Sequence, residues 1–364
     1  MKPASVITPS AEALEKTLLN GFDSTLNKAR AQVLSFLIIA LCKVQTVNLF
    51  KLANVFNSKA KPASSMRRIQ RFLKDVHFDF DKLAMFIVKI LPFKGPFALS
   101  MDRTNWKFGK LDINALFIGI CYQGVAFPLM FSLLEKKGNS NTPERIALIE
   151  RFVRLFGKES IDYLVADREF VGHAWLKYLN KNGISYHIRI KENFYVTRNG
   201  KTLKVREMFR HLKMNECECL KGLYTVNGEQ CYLSATRCKD RNGKPELKVI
   251  VSLRNPGKAL SRYKKRWQIE ACFKAMKTSG FNIEDTHLVH LDRIAKLFGV
   301  MMIAYTWAYL VGIHEHDNYT PLRRKTHGRR EKSLVKYGLE LIANALSNCY
   351  CRPNFDYLQK LSCT

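Results

Sequence analysis

Pro96-Phe97-Ala98-Leu99-Ser100-Met101 is a short apolar run that closes on Asp102, and Ile161-Asp162-Tyr163-Leu164-Val165-Ala166 is a second that closes on Asp167. Runs of this length between turn residues read as strands. Between them, Asp112–Tyr122 and Val125–Leu134 form two longer strands joined at Gln123-Gly124. A helix opens at Thr142-Pro143-Glu144, with Thr142 as N-cap and Pro143 in the first helical position. Gly172–Asn182 carries helical spacing up to Gly183, and Ile184–Ile190 is a fifth strand. Three strands, helix, strand, helix, strand predict an α/β fold with a mixed sheet. Ligands of such sheets gather outside strand ends. Asp102 and Asp167 are therefore placed where chemistry is done.

Downstream the pattern changes. Between 191 and 256, short alternating runs (Phe194–Thr197, Gly222–Val226, Gln230–Ala235, Leu247–Val251) are separated by Asn199-Gly200, Asn227-Gly228 and Asn242-Gly243, which are strong hairpin cues. They predict a β-rich insertion that Asn255-Pro256-Gly257 closes. Helical spacing resumes near Ala259, and here Tyr263, Arg266, Glu270 and Lys277 stand at offsets 0, 3, 7 and 14. At about 100° per residue these project within an arc of roughly 60° on one helix face. A stripe of phenol, guanidinium, carboxylate and ammonium suits a metal and a phosphodiester held side by side. Taken singly, Tyr263 could pack, Arg266 could pair with Glu270 and Lys277 could be solvated. Trp267 is expected to pack in the core, with stacking on a base as the alternative.

Upstream, residues 1–95 read as helical. Ala11–Asn20 and Lys28–Lys43 carry apolar helical spacing, and Asn48–Phe56 follows. After a turn-rich break at 57–62, a basic helix is expected from an N-cap at Ser64 or Ser65, with Arg67, Arg68, Arg71 and Lys74 facing out. Two short helices of which the second is basic are consistent with a helix-turn-helix that contacts DNA. The tail from His314 carries Arg323-Arg324-Lys325, Arg329-Arg330 and an amphipathic helix at 333–348.

The charge balance supports a polyanion partner. Sixty Lys and Arg against 31 Asp and Glu give a formal charge of +29, and each phosphate contact releases condensed counterions. A hydrophobic content of 47% excludes wholesale disorder. The ten cysteines lack the C-x₂₋₄-C pairs of a zinc site and are expected to be reduced thiols. No secretory leader opens the sequence, Val33–Leu41 is too short for a bilayer, and Leu297–Ile313 is expected to be a buried core helix. The expectation is a cytoplasmic protein with no membrane partner. His287 and His290, beside Glu284 and Asp285, are expected to be a satisfied or exposed pair. No Gly-x₄-Gly-Lys-Ser/Thr loop is present, so ATP is not indicated.

Two-metal transfer of a phosphodiester needs carboxylates that hold the ions about 3.5–4 Å apart. The segments Ser100–Trp106 and Val165–Phe170, with the Tyr-x₂-Arg-x₃-Glu-x₆-Lys stripe, resemble the DDE-type bacterial insertion-sequence transposases of the insertion-sequence four family. The likeness runs from about Arg67 to about Leu339. It implies an RNase H-like catalytic core, a mixed sheet flanked by helices, interrupted by a β-strand insertion and preceded by an α-helical N-terminal DNA-binding domain. By that resemblance Asp102, Asp167 and Glu270 are the catalytic and metal-binding triad for two Mg²⁺ ions, with Mn²⁺ as a substitute. Tyr263, Arg266 and Lys277 are then contacts to the transposon-end phosphates. Arg103, Arg168 and Lys265 are further phosphate contacts to consider, and Glu169 and Glu284 are fallback carboxylates. Phe194, Tyr195 and Tyr224 are aromatics against which a flipped base could stack.

The expected organisation is a helical DNA-binding domain at 1–95, core segments at 96–190 and 257–313, the insertion at 191–256 and a basic helical tail at 314–364. The expected activity is cut-and-paste transposition on double-stranded DNA, in a homodimeric synaptic complex of the bacterial cytoplasm. A nuclease without strand transfer and a non-transposing DNA-binding regulator are the alternatives.

Overall fold

The protein is described by a computed structural model over residues 11–22, 26–56, 60–109, 111–240, 242–326, 328 and 330–347. Five helices come first: α1 (Ala11–Gly21), α2 (Lys28–Val44), α3 (Leu49–Asn54), α4 (Pro62–Asp75) and α5 (Phe80–Ile90). Then follow β1 (Phe97–Phe108), β2 (Leu111–Tyr122), β3 (Val125–Leu133), α6 (Thr142–Phe156), β4 (Ile161–Ala166), α7 (His173–Lys181) and β5 (Tyr186–Ile190). The next stretch holds β6 (Tyr195–Arg198), β7 (Lys201–Lys204), α8 (Val205–Met208), β8 (Cys217–Cys219), β9 (Tyr224–Val226), β10 (Glu229–Lys239) and β11 (Pro245–Ser252). The last helices are α9 (Ala259–Tyr263), α10 (Trp267–Lys274), α11 (Leu291–Asn318) and α12 (Leu334–Leu346).

One sheet carries all the strands, in the order β3-β2-β1-β4-β5-β11-β10-β9-β6-β7, with β8 paired to β10. β1, β4 and β5 are parallel neighbours, while β2–β3, β5–β11 and β10–β11 are antiparallel. The mixed sheet agrees with the sequence reading. The segment 191–256 does not stand apart, however: β11 pairs with β5 from Val249↔Ile190 to Ser252↔His187, which prolongs the central sheet. A free β5 edge would present unpaired backbone groups, and β11 covers them.

Local corrections follow from capping and turns. Asn141, not Thr142, caps α6: its side chain accepts from Glu144 N and the Glu144 carboxylate accepts from Asn141 N, a reciprocal capping box. α4 begins at Pro62 in the first helical turn with no side-chain cap, so Ser64 and Ser65 lie inside the helix. β1 does not stop at Asp102 but runs on to Phe108. Positive φ at Asn199 and Gly200, and at Asn227 and Gly228, fulfils the type I′ requirement of the two expected tight turns. At Asn242-Gly243 only the glycine has positive φ, and the Asp240 carboxylate accepts from Asn242 N and Lys244 N instead.

The chain divides into two compact units. One comprises Phe93–Asn105 and Asn114–Cys272 and holds most of the sheet. The other comprises Met1–Pro92, Trp106–Ile113 and Phe273–Thr364. The helical part is built from both ends of the chain, because α2 and α11 are apolar nearly all round and each needs the other's end of the sequence to be covered.

α11 is long and apolar enough to cross a membrane by length and composition, and 89% of its most apolar stretch is buried inside the protein. α12, capped by Ser333, packs on it through two glycines. A Cβ on Gly338 would meet Ala308 O at 1.7 Å, and one on Gly312 would meet Leu334 O at 2.0 Å. Backbone cannot yield as a side-chain end can. Gly338→Ala is therefore expected to lower stability by about 3 kcal/mol or more, at the upper end of overpacking effects. Thermal unfolding checks this against Gly257→Ala, where a Cβ meets nothing within 4 Å and the change is expected to stay within about 0.5 kcal/mol.

Candidate active site

The parallel register of β1 and β4 pairs Ser100 with Val165 and Met101 with Ala166. Pairing stops one residue before each aspartate, so Asp102 and Asp167 stand side by side at roughly the 4.8 Å spacing of neighbouring strands. Each carboxylate Oδ1 accepts the backbone N–H of the following residue, Arg103 N and Arg168 N, both at 2.7 Å.

A helical segment delivers the other groups. Ala259 and Tyr263 pack on Ile250 of β11, and Ser234 Oγ donates to Pro256 O at 2.8 Å, fixing where the segment starts. It is not one regular helix. α9 passes through a 3₁₀ turn at Lys264–Arg266 into α10, and a π turn at Ala275–Ser279 ends it. The continuous stripe expected from a 100° repeat is thus broken into two parts. Tyr263 Oη donates to Asp167 Oδ1 at 3.3 Å. Arg266 Nη1 donates to Asp102 Oδ2 at 3.3 Å and pairs with Glu270 Oε1 at 2.7 Å. Tyr263 and Arg266 therefore meet the two aspartates, and Glu270 is joined to Asp102 through Arg266. Lys277 belongs to the helical unit, where its ammonium pairs with Glu284 at 3.1 Å and lies over the Trp106 ring at 5.8 Å.

Burial sets the electrostatics. It pushes the Asp102 carboxyl up to about 7, against the Arg103 N–H and the Arg266 charge that favour ionisation; Glu169 and Asp167 push it up further. Burial also works against the charge on Arg266, but Tyr263, Asp167, Glu270 and Asp102 outweigh it, so the guanidinium stays charged. The Tyr263 phenol is held above its usual range, first by burial, and remains a hydrogen-bond donor. The result is one cation, Arg266, shared between carboxylates from β1 and α10.

Three carboxylates are a hard oxygen donor set, which suits Mg²⁺ or Mn²⁺ rather than soft ions. Among the described residues no three His, Cys, Asp or Glu side chains stand together as a closed metal cluster. Arg266 lies between Asp102 and Glu270. The pair Asp102 and Asp167 still fits a divalent ion, because Mg²⁺ retains several waters and needs only one or two carboxylates.

Other expected residues fall elsewhere. Trp267 is 47% exposed, which overturns the core-packing reading; its ring lies 5.4 Å from the Arg266 guanidinium. Arg103 is engaged by Asn114 at 3.0 Å, Asn139 at 3.2 Å and Glu169 at 3.6 Å. Those two asparagines were not singled out, and nothing in their local sequence marks them. Arg168 is exposed, and Lys265 lies 5.6 Å from the Tyr163 ring centre. Tyr224 is buried beneath the Arg198 guanidinium, Phe194 is half-buried and Tyr195 is exposed. On α4, Arg67 and Arg71 are exposed, but Arg68 lies between the rings of Phe36 and Phe56, 5.8 Å from each. His287 and His290 are exposed, with His287 edge-on to Phe108 at 5.2 Å. Arg329, Asn348 and the break at 57–59 lie outside the described residues.

This arrangement gathers acids and one cation where parallel strands of a mixed sheet part. The family model for the transposase DDE domain matches residues 100–307, more than half of the chain, and the chain belongs to that family. It is a DDE-type transposase, of a nuclease and transesterase class that acts on DNA with divalent metal ions, and its mixed sheet with flanking helices fits an RNase H-like core. A comparison with curated proteins gives no match.

The Asp102 shift has a direction that can be tested. A carboxyl raised from 3.8 to about 7 contributes stability that is complete below the unfolded value and is lost as pH rises through 7. Asp102→Asn removes that loss. In buffer freed of divalent ions, the variant is expected to match wild type near pH 4. At pH 8 it should be more stable, by up to about 4 kcal/mol. A pH series of thermal unfolding reads this, and a less stable variant at pH 8 would show that the Arg266 pairing outweighs burial.

Proposed function

We propose that this chain is a cut-and-paste transposase of the insertion-sequence four branch. It binds terminal inverted repeats, cleaves both strands in a Mg²⁺-dependent reaction and joins the freed 3′-hydroxyls to target DNA. The observation that carries this reading is Asp102 and Asp167 at neighbouring strand positions, met by Tyr263 and Arg266 from one helical segment, with Glu270 paired to the same Arg266. Asp102, Asp167 and Glu270 are the proposed ligands of two Mg²⁺ ions, for which Mn²⁺ substitutes. Held by those carboxylates, such ions would supply activation of the attacking oxygen and stabilisation of the leaving one.

The protein's own groups supply the rest. Arg266 is a fixed, charged donor that serves both to balance the carboxylates and to meet a phosphate oxygen through its guanidinium fork. Tyr263, neutral and buried, positions the Asp167 carboxylate. Lys277 is a further proposed phosphate contact, as are Arg67 and Arg71 of the helical part. Arg68 is better read as a packing residue, given its two ring contacts. Synapsis of two DNA ends calls for a homodimer, and the bacterial nucleoid is the proposed place of action.

An excision assay tests the reading. A plasmid carries the DNA that flanks this gene, and wild type is compared with Glu270→Ala in Mg²⁺. Wild type is expected to release linear fragments and to join them to a second plasmid. The variant should lose several kcal/mol of transition-state stabilisation, a fall of about 10³-fold or more, with DNA binding kept within about twofold. Cleavage retained in Glu270→Ala removes the triad assignment. Cleavage without joining leaves a nuclease, and binding without cleavage by wild type leaves a regulator.

A further inference from the structure

α4 carries Arg67, Arg71 and Lys74 at successive offsets of four and three, so the three side chains leave one face of the helix. That face lines one wall of a cleft of about 860 Å³, and the segment from His287 to Arg293 lines the other. Both walls belong to the helical unit. They are tied together by hydrogen bonds at both ends. Lys296 Nζ donates to Leu73 O at 2.9 Å and to Lys74 O at 3.0 Å, holding the end of α4 against α11. Thr46 Oγ1 donates to Asp285 Oδ2 at 2.9 Å and accepts from Asn48 N at 3.3 Å, while Val47 N donates to Phe281 O at 3.0 Å. The cleft is thereby set before anything binds.

Its charge is mostly uncompensated. Among the described residues, Arg67, Arg71, Lys74 and Arg293 have no ion-pair partner, and Asp75 is the one carboxylate in the lining. In the sheet unit, by contrast, Arg103, Arg189, Arg262 and Arg266 each meet a carboxylate. Four cations gathered around one carboxylate repel one another, and a polyanion relieves that repulsion. From Arg67 to Lys74 the helix rises about 10 Å, the length of about three base-pair steps measured along a duplex axis. Phe50, 66% exposed, and Val289 flank the basic floor.

We propose that this cleft seats the phosphodiester backbone of duplex DNA without reading its sequence, and that Arg293 and Lys74 belong to the seat together with Arg67 and Arg71. The proposal rests on the reading of the chain as a DNA-acting transposase. It adds to it a surface assembled from α4 and the start of α11, more than 200 residues apart in the chain.

The test uses the full chain and a short fluorescein-labelled duplex of arbitrary sequence, with affinity measured by anisotropy between about 50 and 200 mM salt. Arg67→Gln, Arg71→Gln, Lys74→Gln and Arg293→Gln are each expected to lower the slope of log K against log salt by about 0.9, and the fourfold variant by about 3.6. Unfolding midpoints close to wild type check that each variant is folded. Lys158→Gln, at an exposed lysine outside the cleft, should leave the slope unchanged. A fourfold variant that keeps the wild-type slope overturns the seat while leaving the transposase reading in place. Equal slope loss in Lys158→Gln overturns it too, because net charge alone then explains binding. Loss confined to a single-stranded oligonucleotide overturns the commitment to duplex, and a wild type that binds no DNA overturns both readings.

Discussion

A carboxylate shielded from water beside another carboxylate holds its charge only with a cation close by, and at Asp102 that cation is Arg266. Asp102 and Asp167 come together because two parallel strands share a register. Bare negative charge at that point would carry a desolvation penalty of several kcal/mol per ion. Arg266, at the turn between α9 and α10, supplies the counter-charge and shares it with Glu270. Those acids and Tyr263 favour its charge against the burial that opposes it. The constraint is mutual, and it fixes a helical segment to strands from which it is 164 residues distant in the chain.

The sheet makes that meeting possible by being longer than the strands of the two aspartates require. β5 would be an edge if the chain returned to the core directly after Ile190. β11 pairs along it and β10 along β11, so the segment that intervenes between Asp167 and Glu270 is sewn into the same sheet. Ile250 of β11 then forms the floor on which Ala259 and Tyr263 pack. The intervening strands thus determine where α9 begins, and through it where Arg266 and Glu270 arrive.

Much of this was legible in the sequence because it is local. Apolar runs closed by aspartate located β4 to the residue, and Asn-Gly pairs located two type I′ turns. The α6 cap could have been found as well, since Asn141 and Glu144 have capping-box spacing and Thr142 lacks a Glu or Gln three residues on. What was not legible is non-local. The polar stretch from Arg103 to Lys107 gives no apolar cue that β1 continues, and Trp106 is buried by Phe298 of α11, which no window of sequence reveals. The 3₁₀ and π turns around α10 likewise leave no mark in a 100° projection, so the single even stripe it draws does not lie on one regular helix. Arg68 shows the same limit: on a helical wheel it resembles Arg67 and Arg71, and only Phe36 and Phe56 set it apart.

An excess of 29 positive charges requires that at least that many cations find no carboxylate within the chain. Their distribution carries more information than their number. Around the aspartates the guanidiniums of Arg103 and Arg266 are matched with acids, which suits the proposed site for metal ions and a reacting bond. Along α4 and the start of α11 they are left unmatched on a preset surface. Matched charge gives a site its geometry, and unmatched charge gives a surface its salt-dependent grip. A protein that must hold long DNA while cutting it at one bond needs both, and here the two kinds of charge are borne by separate sets of residues.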